Sequence, residues 1–351
     1  MLSNPHEKTG RIMKKKNLII FASVFLALIV IFAVDILIEK QRLERSYSQL
    51  AYVRWSGEKK GKGYGQQSIF IDRAEKFSEE DVEAMRNKIN KKLSEDSLLS
   101  ENDSSRAWID AYSSKETVEI RKDTNTVNVD AYLVGGDFFL IHPLKLKSGN
   151  YPKGDCPQIL LDENVAWNLF GSSDIEGQKV WIKDTVYTVS GVVTYDDTTE
   201  ERAALGNADT VYIPFASYSS EEKYVTCYET VMPEPIKNYG YNTLAEAAEI
   251  EVLSDEEKKA LRSPLFFGGI ELVENSRRFS PMKLLLKAKD RKYIDMKTQS
   301  IAYPYWENLA RYEEGRYIRL TYIMSTILLL LILTLLTMLC SYHSRLLKTH
   351  S

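Results

Sequence analysis

The sequence predicts an α+β domain held outside the membrane between two membrane-spanning helices with helical stems. Three observations predict it. Leu18–Ile38 and Leu320–Cys340 are each 21 residues long, predominantly apolar and without a charge but for Asp35. At ~1.5 Å per residue, each is long enough to cross a hydrocarbon core of ~30 Å. The ends of the chain are basic, as cytoplasmic flanks are. Between the two runs, period-two strand patterns alternate with amphipathic helical ones.

Charge divides the chain in the same way. The net charge is −3, from 46 Lys and Arg against 49 Asp and Glu. The first 16 residues carry Lys8, Arg11, Lys14, Lys15 and Lys16 against Glu7 alone, and Arg345 and Lys348 sit near the other end. Setting those seven bases and one acid aside leaves 39 bases against 48 acids for the middle, a net of −9. An acidic middle argues against a nucleic-acid partner, which needs a basic face. Basic tails instead suit anionic lipid headgroups at the cytoplasmic surface. The expected organisation is a cytoplasmic tail at 1–17, a span at 18–38 and an extracytoplasmic domain at 39–319. A second span at 320–340 and a cytoplasmic tail at 341–351 follow. The first apolar run exceeds the ~7–15 residues of a signal peptide and lacks a small-residue cleavage site. It is therefore read as retained.

Along the chain, Glu39–Leu50 has helix-forming composition without a breaker and continues the first span as a stem. Gly57–Gly65 breaks it. This Gly-Lys stretch is no phosphate-binding loop, because three residues rather than four separate Gly57 from Gly61 and no Ser or Thr follows Lys62. Ser68–Asp72 reads as a strand. Ser78 caps a helix whose first turn holds Glu79, Glu80 and Asp81, where negative charge suits the dipole. Val82, Met85, Ile89 and Leu93 form its apolar face. Val127, Val129, Ala131 and Leu133 alternate as a strand. Asp162 is placed to cap a helix at 163–170 and Gly171 to end it in a left-handed conformation. Phe138 and Phe170 are expected in the core. Leu244–Leu261 looks helical, Met282–Ala288 looks like a strand, and Tyr305–Arg319 looks like a helical stem running into the second span. Thr321, Ser325, Thr326, Thr334 and Thr337 interrupt that span. They either contact another helix or bond back to their own carbonyls.

No residue set points to catalysis, a cofactor or a metal. His142 is the one histidine between the spans, and a lone histidine makes neither a metal cluster nor a triad. Ser56 with Lys59 and Ser280 with Lys283 match SxxK without its companion motifs. The paired acids Asp196-Asp197 and Glu221-Glu222 read as solvated loops. No nucleotide-binding motif occurs, so the chain is not expected to hydrolyse ATP. Three cysteines occur without zinc spacing. Cys156 and Cys227 are either unrelated thiols or a disulfide, which an extracytoplasmic compartment permits.

One stretch carries more than pattern. From Tyr132 to Val193, a strand ends in Gly-Gly-Asp-Phe-Phe, a turn holds Leu-Lys-Ser-Gly-Asn, a helix ends in Leu-Phe-Gly and a strand ends in Val-Ser-Gly-Val-Val. Asp209–Phe215 adds a strand with Pro214. This order resembles the MacB-like periplasmic core domain of the MacB, FtsX and LolC class of ABC transporter permeases. Asp137, Phe138, Phe139, Gly149, Val165, Ala166, Leu169, Phe170 and Gly171 match its pattern. Ile175, Gly177, Val189, Gly191, Val192 and Pro214 match too. Glu176 departs from it by separating Ile175 from Gly177. The resemblance implies a membrane-proximal α/β part and a distal, mostly-β lobe, placed at about 147–215, with 218–280 as an insertion. It also implies three spans after the domain, of which this sequence carries one, so the last two are expected to come from other subunits. The function it implies is that of a non-catalytic, permease-like subunit of an ABC-type envelope complex. Its partners would be an ABC ATPase subunit and a permease-like subunit, or a second copy of itself. In the resembling permeases, ATP-driven closure moves the stems and the outer domain does work in the envelope. A stand-alone membrane-anchored binding or sensing protein is the alternative expectation.

Overall fold

The computed structural model describes residues 23–31, 34, 37, 47–57, 63–99, 106–154, 156–195, 198–206, 208–220, 222–250, 266, 267, 269–276, 278–280, 282–284 and 301–349. Contacts divide the chain into two units: residues 46–315, and residues 1–45 together with 316–351.

The larger unit is built on one mixed sheet. Its strands are β1 (Tyr64–Ile71), β2 (Ile109–Lys122), β3 (Asn125–Gly136), β4 (Leu146–Gly149), β5 (Gln158–Asp162), β6 (Lys179–Ile182), β7 (Thr185–Val193), β8 (Thr210–Pro214), β9 (Cys227–Pro233), β10 (Phe266–Phe267) and β11 (Ile270–Glu274). They run in the order β10-β11-β1-β9-β2-β3-β8-β5-β7-β4, with β6 bridging β2 and β7. The β3–β8 and β5–β7 pairs are parallel and the others antiparallel. Pairing of β2, β3, β8, β5, β7 and β6 returns to β2, so six strands close a circuit.

Strand alternation sends successive side chains to opposite faces, and here both faces are covered. One face presents Ile69, Ile71, Val129, Ala131, Leu133, Val211 and Ile213 to a core. It is covered by α2 (Glu79–Glu95), α4 (Glu163–Phe170) and α6 (Tyr239–Ala247). The other face presents Phe70, Tyr132, Val134, Leu160, Tyr212, Cys227 and Val231. It is covered by α1 (Ala51–Ser56), α3 (Phe138–Ile141) and the start of α7 (Tyr305–Thr349). A short helix, α5 (Thr199–Leu205), precedes β8.

Local sequence explains these elements. Ser78 accepts from Asp81 N while the Asp81 carboxylate accepts from Ser78 N, a reciprocal capping box. All four expected apolar residues of α2 are buried. Asp162 accepts from Asn164 N, and Gly171 ends α4 at φ 67°. Two motif glycines face each other across the β4–β7 pair, Gly149 opposite Gly191. A Cβ on Gly149 would lie 2.3 Å from Ser190 O and one on Gly191 2.6 Å from Ser148 O, so neither strand admits a side chain there. Phe138 is buried, whereas Phe170, the last residue of α4, is half-buried.

Several expectations are corrected. The first strand is longer than Ser68–Asp72 and begins at Tyr64. The helix expected at Leu244–Leu261 starts earlier, at Tyr239, and ends at Ala247; residues 251–261 lie outside the described residues. Residues 282–284 are helical rather than extended, and 285–288 lie outside the described residues. Within the stretch expected as an insertion, β9 lies between β1 and β2 near the middle of the sheet. The strands of 147–215 join that same sheet through β3–β8. Cys156 and Cys227 are both free thiols: Cys227 is buried on β9, while Cys156 is exposed in the turn before β5.

In the smaller unit, residues 23–31, 34 and 37 are helical, and the rest of the expected first span and stem to residue 46 lies outside the described residues. Among the described residues, one helix is long and apolar enough to cross a membrane: Tyr305–Thr337, with mean hydropathy 2.3 over its best window. Thr326, Thr334 and Thr337 donate to Tyr322 O, Leu331 O and Thr334 O, back along their own helix.

Candidate functional site

The stem-facing side of the sheet carries a row of buried polar groups. Ser68 on β1 stands opposite Glu229 on β9, and Glu271 on β11 stands opposite Phe70 on β1. Their side chains point toward the root of α7. Pro304, with no N–H to satisfy, precedes that helix, and its carbonyl accepts from Asn308 N. Glu307, Arg311 and Glu314 then recur at i, i+4 and i+7, on one helical face.

Arg278, in the turn after β11, joins the two sides. Its guanidinium donates to Glu307 at 2.6 and 2.9 Å and to Glu314 at 2.7 and 3.3 Å. Arg311 donates to Glu307 at 2.7 Å and to Glu271 at 2.9 Å. Glu271 also accepts from the Tyr303 hydroxyl. Arg278 is 3 % exposed and Glu307 fully buried, so these are interior charges. Burial alone would lower the Arg278 guanidinium, but Glu307 and Glu314 more than reverse it and hold it above its ordinary value. Burial alone would raise the Glu307 carboxyl; Arg278 and Arg311 outweigh it and hold Glu307 below the usual carboxylate range. Removing one member of such a buried set costs roughly 3–5 kcal/mol.

From Arg278 the network runs inward. Arg278 reaches Asn275 Oδ1 at 3.3 Å, Asn275 donates to Ser68 Oγ at 2.6 Å, and Ser68 donates to Glu229 Oε1 at 2.8 Å. Trp306 Nε1 donates to Glu229 Oε2 at 3.2 Å, and His142 Nε2 meets that same oxygen. The Trp306 and His142 rings lie 4.4 Å apart, with Phe138 against both. Glu229 has no Lys or Arg partner among the described residues, and His142 Nδ1 has no hydrogen-bond partner among them. A buried carboxylate without a cation costs several kcal/mol; an orphaned buried N–H costs about 1–3 kcal/mol.

The same corner is held from the other stem root. Arg54 on α1 donates to Leu140 O at 3.1 Å and Ile141 O at 2.8 Å, the open carbonyls at the end of α3. Gln66 on β1 accepts from Ala51 N at 2.9 Å and donates to Ser48 O at 2.7 Å. Arg54, α3 and Trp306 therefore bring both stem roots onto one four-residue helix. The other cationic recess, lined by Arg86, Arg106, Trp108 and Asp110, is already neutralised. Arg86 is paired with Asp110 and Arg106 with Asp137.

The residues singled out in the sequence fall around this site rather than in it, apart from Phe138 and His142. Asp137 pairs with Arg106, and Phe139 stacks on Tyr151 at 4.3 Å between centroids. Leu169, Val165 and Ala166 are buried on α4. Gly177 turns between Ile175 and β6 at φ 80°, and Pro214 ends β8. Sequence reading missed Glu229, Glu271, Arg278, Glu307, Arg311 and Glu314. The signal was present in two places: a Glu between apolar residues in Cys227–Pro233, and the i, i+4, i+7 charges of Tyr305–Arg319. Among the described residues no cluster of His, Cys, Asp or Glu is suited to a metal ion.

These features define a mixed α/β domain whose core receives the root of a helix apolar enough for a membrane. Residues 18–252 match the family model of the MacB-like periplasmic core domain. That is more than half of the sequence, and the chain belongs to that family, found in ABC transporter permeases. Three solved structures are similar. The periplasmic region of MacB from Actinobacillus actinomycetemcomitans is 13% identical, with 61% of this chain and 90% of that one covered, at a TM-score of 0.39. The extracellular domain of the noncanonic ABC-type transporter YknZ from Gram-positive bacteria is 15% identical, with 59% and 99% covered, at 0.37. A domain of a putative permease protein from Porphyromonas gingivalis is 12% identical, with 61% and 90% covered, at 0.33. No curated protein matches the chain.

Proposed function

We propose that this chain is a non-catalytic, permease-like subunit of an ABC-type envelope complex and couples stem movement to its outer domain. The observation that supports this most directly is the buried Arg278–Glu307–Arg311 set, which ties the root of α7 to β11 and, through Ser68 and Glu229, to the middle of the sheet. A helix attached by apolar contacts alone could slide over the sheet at little cost. One attached by buried charges has discrete positions, because an intermediate position leaves charges unpaired. Family members work with ABC ATPase partners, and that partnership is carried to this chain as part of the proposal. In this reading the domain lies outside the membrane, both termini lie in the cytoplasm, and the basic tails rest on anionic lipid.

The test is isolation of the tagged full chain from native membranes in mild detergent after light crosslinking. An ABC ATPase subunit is expected in the recovered complex. Recovery of the chain alone, as a monomer without an ATPase, would overturn the reading.

A further inference from the structure

We propose that Gly315 is the hinge of the stem helix and that the buried charges before it form a clamp with one register. Movement arriving along α7 then bends it at Gly315 and leaves the root seated. Three observations carry this. The charge set holds α7 from Glu307 to Glu314, through Arg278 to both of those carboxylates and through Glu271 to Arg311. Gly315 directly follows the last of them and is the one glycine in Tyr305–Thr349. The division of the chain into two units falls between Gly315 and Arg316. Glycine is the weakest residue but proline for a helix interior, and hinge residues are often small.

The single register follows from the order of residues on α7. A slide by one turn of ~5.4 Å replaces each residue in the seat by the one four places along. In one direction Arg311 and Ile318 would replace Glu307 and Glu314 beside Arg278, and Gly315 would replace Arg311 beside Glu271. In the other, Tyr303 and Ala310 would come beside Arg278, and Glu307 would meet Glu271. Neither slide gives Arg278 a carboxylate from α7. Each also sets like charges together, Arg311 on Arg278 in the first and Glu307 on Glu271 in the second. Arg278 is 3 % exposed, so water does not replace what is lost. A slid root is therefore disfavoured by at least about a hundredfold. Aromatic packing holds the same segment, with Trp306 against Tyr132 and Phe138. A bend at Leu309 or Tyr312 would part Glu307 from Glu314, which Arg278 holds together. A bend at Gly315 breaks none of these pairs.

The hinge rests on the coupling reading for what moves the stem, but it is measured without an ATPase, so failure of one is told apart from failure of the other. The full chain, its three cysteines replaced by alanine, is placed in lipid nanodiscs. Spin labels are attached in two pairs, Lys91→Cys with Tyr312→Cys and Lys91→Cys with Tyr322→Cys. Lys91 is exposed on α2, Tyr312 precedes Gly315 and Tyr322 follows it. Double electron–electron resonance is expected to give a single narrow distance for 91–312. A bend of about 20° at Gly315 moves residue 322, ~10 Å further along the helix, by roughly 4 Å. The 91–322 distances are expected to spread by that much more. In Gly315→Ala the extra spread is expected to disappear, with the 91–312 distance unchanged. Two 91–312 populations about 5.4 Å apart would overturn the clamp. A 91–322 spread no wider than the 91–312 one would overturn the hinge. So would an unchanged spread in Gly315→Ala, which would assign this buried glycine to close packing. The two label pairs without that substitution decide the matter even if Gly315→Ala fails to fold.

Discussion

Replacing Arg278 by Met tests the stem attachment most directly. The methionine keeps much of the stem volume but removes four charge-assisted hydrogen bonds, two to Glu307 and two to Glu314. Glu307 is fully buried and retains Arg311 alone from the set. Loss of one partner from a buried ionic set costs roughly 3–5 kcal/mol, and that is the destabilisation expected of Arg278→Met near neutral pH. Arg278→Lys is expected to recover only part of it, since one ammonium cannot span both carboxylates in a fork. Glu307→Gln in the Met background should be less than additive, with a coupling of about 0.5–3 kcal/mol. The penalty also has a pH signature. The folded Glu307 carboxyl is held below its ordinary range, so its contribution is present above the unfolded value of ~4.3 and is lost as pH falls through the folded one. Below that point Glu307 is neutral and no longer needs Arg278, so the gap between variant and wild type should narrow. Denaturant unfolding of the full chain in detergent, followed by tryptophan emission at two pH values, reads all of this. A loss under about 1 kcal/mol for Arg278→Met, or a gap that widens in acid, would refute the reasoning.

Other outcomes follow from the same structure. Phe138→Ala should cost about 3–5 kcal/mol in the same assay, because the ring is buried among Trp306, Tyr212 and His142; Phe170→Ala should cost clearly less, its ring being half-buried. Burial pushes the Asp162 carboxyl up to about 6, so the folded state prefers it protonated and the penalty grows between ~3.9 and that value. Asp162→Asn keeps an N-cap acceptor and should stabilise by roughly 2–3 kcal/mol at about pH 7.5, with little effect at about pH 3.5, as paired thermal melts would show. For topology, a cysteine at Lys62 should label from outside intact cells and one at Lys15 should not; the reverse pattern would invert the proposed orientation.

Much of the scaffold was legible because local chemistry specifies it. Ser78 and Asp81 cap α2 in a way that needs no tertiary knowledge, and so do Asp162 and Gly171 around α4. The alternation is visible in the first half of β3, where Val129 and Ala131 are buried on one face while Asn128 and Asp130 on the other are not. β9 was illegible for the opposite reason. Both of its faces are covered, so polar and apolar residues do not alternate and no period-two pattern marks the strand around Glu229. The stem site is non-local: Arg278 and Glu314 are 36 residues apart, and His142 and Glu229 are 87 apart. No window of sequence contains both halves of those pairs. Charge in a helix ordinarily reads as a solvated face, and only the sheet beneath α7 shows that Glu307 and Arg311 face inward.

The closed circuit of six strands has a mechanical meaning. In an open sheet a strand can slip against one neighbour, but in a ring each slip must be matched at every other pairing, so the ring yields as a whole or not at all. β2 is a strut in that ring. Its 14 residues span ~45 Å at ~3.3 Å each. At one end Ile109–Ser113 is bonded to β9, the strand that carries Glu229, and at the other Ile120 and Arg121 are bonded to β6. About nine residues, ~30 Å at ~3.3 Å each, separate the two attachments, so a tilt of about 5° imposed at the β9 end appears at the β6 end as a sweep of roughly 3 Å, the geometry of a lever with its fulcrum beside the stem.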